Sequence, residues 1–152
     1  SDLLVQFSHK GITMETHKIE LMKAVDTEWL RSQGCTFENG TIEFAGIEII
    51  NGVATVGVNV TFDHGGCTLG GNTCGRLIPG DKSINGSRYG MDAILWLMAV
   101  AGVDKSSKIE GKYVRVAFGK DERACFIGHI VKDIWFSFDW LAEALAEQKE
   151  QK

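Results

Sequence analysis

Asn51-Gly52 stands between two runs of β-forming residues, 41–50 and Val53–Phe62. Both residues of that dipeptide tolerate positive φ, which a two-residue hairpin turn requires, so the runs are predicted to fold back on each other as antiparallel strands. Val56, Val58, Val60 and Phe62 alternate with smaller or polar residues, which predicts one buried face on the second strand. A second antiparallel pair is expected at 112–118 and 124–131, joined by the polar turn GKDER. Three helices accompany the strands. Residues 16–32 place Ile19, Met22, Val25, Trp29 and Leu30 at helical steps, with Gly34 where a helix stops. Ser87 caps a helix from Arg88 to Ala101, stopped by Gly102, whose Ile94, Leu95, Leu97, Met98 and Val100 cover most of its circumference. That coverage predicts a central helix. Ser137 caps a last helix with Trp140, Leu141, Ala144 and Leu145 inward, and the tail EQKEQK is expected to fray. The order implies an α+β fold: an antiparallel sheet packed on a central apolar helix, with an extra N-terminal helix and a C-terminal helix. Residues 1–152 read as a single domain, with 16–33 an accessory element set off by the polar GCTFENG.

Between the two halves lies the stretch 63–90, with eight of the eighteen glycines, the only proline, and Arg76, Lys82 and Arg88. It is expected as a loop of about 25 residues, an unusual length inside a compact domain and one associated with function. The cations gather with it. Residues 51–132 carry ten Lys/Arg against seven Asp/Glu, whereas residues 1–50 carry four against eight and 133–152 two against five. Acidic ends around a mildly basic centre fit a small anionic ligand better than long nucleic acid. No apolar run reaches the length of a membrane span and no secretory signal is visible, so a cytoplasmic location is expected. Four irregularly spaced cysteines are expected as free thiols, not a disulfide framework.

Candidate chemistry is sparse. Asp63, His64, Cys67 and Cys74 lack the close cysteine pairs of a zinc site, and no metal or cofactor is expected. Cys67 with His64, or Cys125 with His129, is conceivable as a nucleophile and base, but the second pair lies too far apart along one strand. The glycines complete neither a phosphate-binding loop nor a dinucleotide fingerprint. Arg115, on the strand face it shares with Tyr113, suits a phosphate beside a stacked base, and Arg76, Arg88, Tyr89 and Asn72 offer related chemistry from the loop and helix start. His129 is expected to be structural, and Trp135, Phe136, Phe138 and Trp140 to close the core or a subunit contact.

GGCTLGG after an alternating strand, then YGMDAILWLMAVAGV, GKYVRV and IGHIVKDIWFSF, resemble together the phage-encoded Thoeris anti-defence proteins of the first type, over roughly residues 40–140. The resemblance implies a non-enzymatic sponge in the host cytoplasm that sequesters cyclic ADP-ribose isomers, and in some relatives cyclic oligonucleotides. It implies homo-oligomers, dimers or hexamers, in which arginines and an aromatic hold the ligand. Arg115 and Arg123 match the family's arginines, while Arg76, Arg88, Tyr89 and Asn72 are candidates by position and chemistry, and the helix at 16–32 departs from the short family core. Two rivals remain open. One is an enzyme degrading the same signal through His64, His129 or Asp63. The other is a protein-interaction module without a small ligand.

Overall fold

The computed structural model describes residues 18–150. The elements are α1 (Lys18–Ala24), α2 (Thr27–Ser32), β1 (Thr36–Ile50), β2 (Val53–Phe62), β3 (Gly65–Ile78), β4 (Ser83–Gly86), α3 (Arg88–Ala101), β5 (Tyr113–Phe118), β6 (Ala124–His129), β7 (Trp135–Phe136) and α4 (Phe138–Glu150). All seven strands join one antiparallel sheet in the order β4-β3-β2-β1-β5-β6-β7. The α+β class read from the sequence is the class observed.

The β1–β2 hairpin turns where expected, with Asn51 at φ 52° and Gly52 at φ 79°. Other boundaries move. β1 starts at Thr36, because residues 36–41 pair with Phe118–Tyr113 of β5 before 41–50 pair with β2. Most of the polar GCTFENG, from Thr36 on, is therefore strand. The amphipathic run at 16–32 is two helices, its first two residues lying outside the described residues. Asp26, extended at φ −135°, accepts from the Trp29 amide at 2.8 Å and starts α2 afresh. β6 ends at His129, since the amides of Val131 and Lys132 donate to His129 Nδ1 at 3.0 Å each and turn the chain toward β7.

The largest departure is the glycine-rich stretch, which is not a long loop. Only Asp63 and His64 turn the chain, and residues 65–76 then pair with β2 along its length, with two register shifts. The glycines serve backbone contact here. A Cβ at Gly66 would meet the Val60 carbonyl at 2.7 Å, and one at Gly70 would meet the Val56 carbonyl at 2.7 Å. Gly70 and Gly71, at φ 86° and 94°, shape the shift opposite Val56–Gly57.

α3 crosses one face of the sheet. Tyr89, Gly90, Ala93, Leu97 and Val100 are buried and pack in one core with Val56, Val58 and Val60 of β2, Val114 and Val116 of β5, and Ile127 of β6. Its caps are those read from the sequence: Ser87 Oγ accepts from the Gly90 amide at 3.3 Å, and Gly102 is left-handed at φ 71°. Burial is one-sided, however. Met91 and Leu95 remain 63% and 54% exposed, so the helix is covered by the sheet below but open above. α4, with Ser137 Oγ accepting from the Trp140 amide at 3.2 Å, adds Phe138, Leu141 and Leu145 to the same core.

A second cluster fills the other face at the β5–β7 end. Leu21, Val25, Trp29 and Leu30 from α1 and α2 meet Ala117, Phe126 and Trp135 there. The N-terminal helices thus contribute packed apolar surface to the domain. Trp135, Phe136 and Phe138 are buried in the core, as one of the two expectations for them held.

Candidate functional site

The six residues singled out for ligand binding do not converge in one chain. Arg115 projects to the face of the sheet away from α3, as does its strand neighbour Ala117 in the second cluster. There its guanidinium is engaged: Nε donates to the His129 carbonyl at 2.8 Å, Nη2 to the Lys132 carbonyl at 3.0 Å, and the group lies 4.7 Å from the Trp135 ring centre. These bonds lock the turn between β6 and β7. Thr27, at the start of α2, donates its amide and hydroxyl to Asp133 in that turn, and Trp135 Nε1 donates to the same carboxylate oxygen at 3.2 Å. Arg123 is an exposed side chain in the turn between β5 and β6, 3.9 Å from Asp121. Arg76 is exposed on β3, and Arg88 pairs with Asp92 at 3.1 Å along α3.

Asn72 and Tyr89 do come together. β3 carries Asn72 opposite Val56, on the side facing α3, and the first turn of α3 carries Tyr89. The two elements approach closely because residue 90 is glycine, where a Cβ would lie 2.9 Å from that of Cys74. The far wall comes from α4. The result is a cavity of about 260 Å³ between Asn72 and Thr73, Ser87 and Tyr89, and the apolar wall of Ala142 and Leu145.

Tyr89 lines this cavity, but its hydroxyl is closed off from solvent. It is 8% exposed, yet its hydroxyl has no hydrogen-bond partner. Burial raises its pKa to about 12, helped by the negative charge of Asp139, while its interaction with the Asn72 side chain acts in the opposite sense. The phenol is therefore a neutral donor at any physiological pH. A buried polar group without a partner costs about 1–3 kcal/mol, so its presence here calls for a reason.

Two other recesses are less specific. A cleft of about 450 Å³ lies between Ala45 and Ile47 of β1, Ile94 of α3, and Ser106, Ile109 and Glu110. A shallow depression of about 120 Å³ lies among Gly46, Gly57 and Gly71, edged by Phe44 and Asn59. Among the described residues, no buried side chain without a partner lines either one.

The groups considered for catalysis are placed as follows. Cys67 and Cys125 are held by burial at about 11 and about 12, so both stay protonated near neutrality. Cys125 Sγ donates to the Ala117 carbonyl at 3.3 Å, and His129 Nδ1 is occupied by two backbone amides. Asp63 and His64 form the exposed turn between β2 and β3. Among the described residues, no three His, Cys, Asp or Glu side chains gather as metal ligands, and no helix is long and apolar enough to cross a membrane.

Sequence reasoning missed Thr73, Ser87, Ala142, Leu145 and Ala146 as cavity residues. Leu145 was legible only as a core position, and nothing local says that α4 closes a cavity over β3. The fold and cavity define an α+β domain with a small recess that has a polar side and an apolar side. Compared with protein-family models, with curated proteins and with solved structures, the chain finds no match in any of the three.

Proposed function

We propose that this protein is a phage anti-defence sponge, which binds a cyclic nucleotide signal and withholds it without cleaving it. The ligand is of the cyclic ADP-ribose type, with cyclic oligonucleotides as a further class, and the setting is the host cytoplasm. The observation that carries the binding role is the cavity between β3, α3 and α4, with Asn72, Thr73, Ser87 and Tyr89 on one side and the apolar Ala142 and Leu145 on the other. The ligand class rests on the resemblance of the chain's motifs to Thoeris anti-defence proteins. Sequestration asks for slow release and neither a base nor a metal.

The protein works as a homo-oligomer, dimer or hexamer. In support, Ile47, Met91 and Leu95 form apolar surface on β1 and the adjacent α3, at 51%, 63% and 54% exposure. In a single chain Arg115 and Tyr89 lie on opposite faces and three strands apart, counting β3, β2, β1, β5. Any site using both draws them from different copies.

The test is incubation with a panel of cyclic ADP-ribose isomers and cyclic oligonucleotides, followed by thermal denaturation and chromatography of the heat-released ligand. Ligand present at a hundred times its Kd raises stability by about 2.7 kcal/mol. A clear shift with ligand recovered intact is the expected result. Recovery of a converted product would make the protein an enzyme, and no shift with any compound would leave an interaction module.

A further inference from the structure

α3 covers only part of one sheet face, and beside it the ends of β1, β3 and β4 around the Asn51-Gly52 turn are left bare as a shelf. Register says which way these ends point. Val56 and Ala54 belong to the core under α3, and they pair with Ile47 and Ile49 of β1. Gly75 also pairs with Ala54, and two residues on, Leu77 pairs with Ile84 of β4. Side chains alternate along a strand, so Ile47, Ile49, Leu77 and Ile84 all point to the α3 side. Glu48 and Arg76, between them, point to the other side. A solvated sheet face is polar and a packed one apolar. The shelf has the composition of a packed face, yet its four side chains stand exposed.

The outer stripe of α3 is bare in the same way. Met91 and Leu95 lie one turn apart on it, and Arg88 and Asp92 are the only charged residues of the helix. A helix apolar on nearly every side belongs in an interior. Stripe and shelf together present six large apolar side chains, each between 39% and 67% exposed, on one side of the sheet. Contiguous apolar patches beyond a few hundred Å² are rare on monomers.

We propose that a second copy of this chain covers this surface by reciprocal packing about a two-fold axis, the α3 stripe of each copy lying on the shelf of the other. This rests on the homo-oligomer of the proposed function and on no property of the ligand. Three observations select a second copy. The shelf lies beside α3 and is therefore one helix deep, about 10 Å, which suits the α3 of a partner. Arg88 and Asp92 pair with each other at 3.1 Å, so the surface carries no net charge to favour an acidic or basic partner. Each copy also holds both halves of the contact. Reciprocal packing counts them twice, toward the ~1,200 Å² in total that a stable interface requires. The outcome is a layer of two α3 helices between two sheets.

The test is sedimentation of the full chain over a range of concentrations, with Leu95→Glu, Ile47→Lys and Val131→Glu beside the parent. Val131 is the control, an exposed apolar side chain in the turn between β6 and β7. The expected result is a parent at twice the monomer mass or a higher even multiple, with Val131→Glu the same. Leu95→Glu and Ile47→Lys should each fall to half the parent's mass or less. Each two-fold contact carries the substitution twice, so its dissociation constant rises by about a hundredfold or more. An equimolar mixture of those two variants should regain the parent's mass, because one contact then sets Glu on Lys and the other is unaltered.

Unchanged mass in Leu95→Glu or in Ile47→Lys, or dissociation of Val131→Glu as well, would overturn the inference and leave the homo-oligomer standing. A mixture that stays dissociated overturns it too, since stripe and shelf then do not meet. A monomeric parent removes the homo-oligomer and this inference together. Variants that then melt below the parent assign the shelf to another segment of the same chain, and variants as stable as the parent assign it to a different protein.

Discussion

Arg115 shows how a residue's chemistry and its placement can point in different directions. An arginine next to an aromatic on a strand suits a nucleotide, but here two of its donors are spent on the carbonyls of His129 and Lys132, and its plane rests near Trp135. Arginine is suited to this because its fork holds two acceptors at fixed geometry, which lysine cannot do. Replacing Arg115 by Ala removes charge-assisted bonds worth about 1.5–3 kcal/mol each at best, part-exposed and therefore discounted. The expected loss is about 1–3 kcal/mol in a denaturant titration. A variant as stable as the parent but unable to bind ligand would instead assign Arg115 to the site.

At the scale of elements, helix ends are set locally while strand packing is not. Ser87→Ala removes the hydroxyl that accepts from the Gly90 amide, at an expected cost of about 1 kcal/mol, read from the shift in denaturation midpoint. Gly128 is a different case, fixed by a neighbour across the sheet. It pairs with Trp135 of β7, and a Cβ there would clash with the indole ring. Gly128→Ala should therefore cost about 1–3 kcal/mol by overpacking and blue-shift or broaden the tryptophan emission, although its own backbone conformation needs no glycine. Equal midpoints for the two variants would show that β7 yields where the structure has it packed. The break between α1 and α2 follows the local rule as well, since Asp26 caps a new helix inside an otherwise continuous apolar pattern.

For the whole molecule, the turn between β6 and β7 couples stability to pH. His129 is pushed below its ordinary pKa by burial first and then by Lys132 and Arg115, and its Nδ1 must stay unprotonated to accept two amides. Its unfolded value is about 6.5, so the unfolded chain takes up the proton first as pH falls. Stability is then full above pH ~6.5 and declines below it, toward the depressed folded value. Burial opposes ionisation of Asp133, but its bonds from Thr27 and Trp135 and the charge of Arg115 outweigh that and lower its pKa. The stability it adds is present above pH ~3.9 and lost as pH falls through its folded value, a second and more acid step. Denaturation midpoints from pH 8 to pH 3 should show both. His129→Asn, which keeps an acceptor but does not titrate, should remove the first step alone, and persistence of that step would assign it to another group.

Part of this molecule was legible from local sequence. The hairpin at Asn51-Gly52, the caps Ser87, Gly102 and Ser137, and the α+β class depend on turn geometry and on side chains reaching backbone three residues away. Asn72 and Tyr89 were also singled out, and both line the cavity. The remainder needed the assembled sheet. Glycines at 65–75 read as a loop because their strand character comes from β2, whose Val60 and Val56 carbonyls leave no room for side chains at Gly66 and Gly70. β7 has two residues and exists only because β6 offers an edge. Arg115 and Tyr89 share a chemistry on paper, but the pleat sends Arg115 to the face of the sheet away from α3, whereas Tyr89 rides on α3 against the other face. Local interactions decide what a segment can be, whereas pairing partner, buried face and the closing of α4 over β3 depend on residues far away in the chain, and these decided the site.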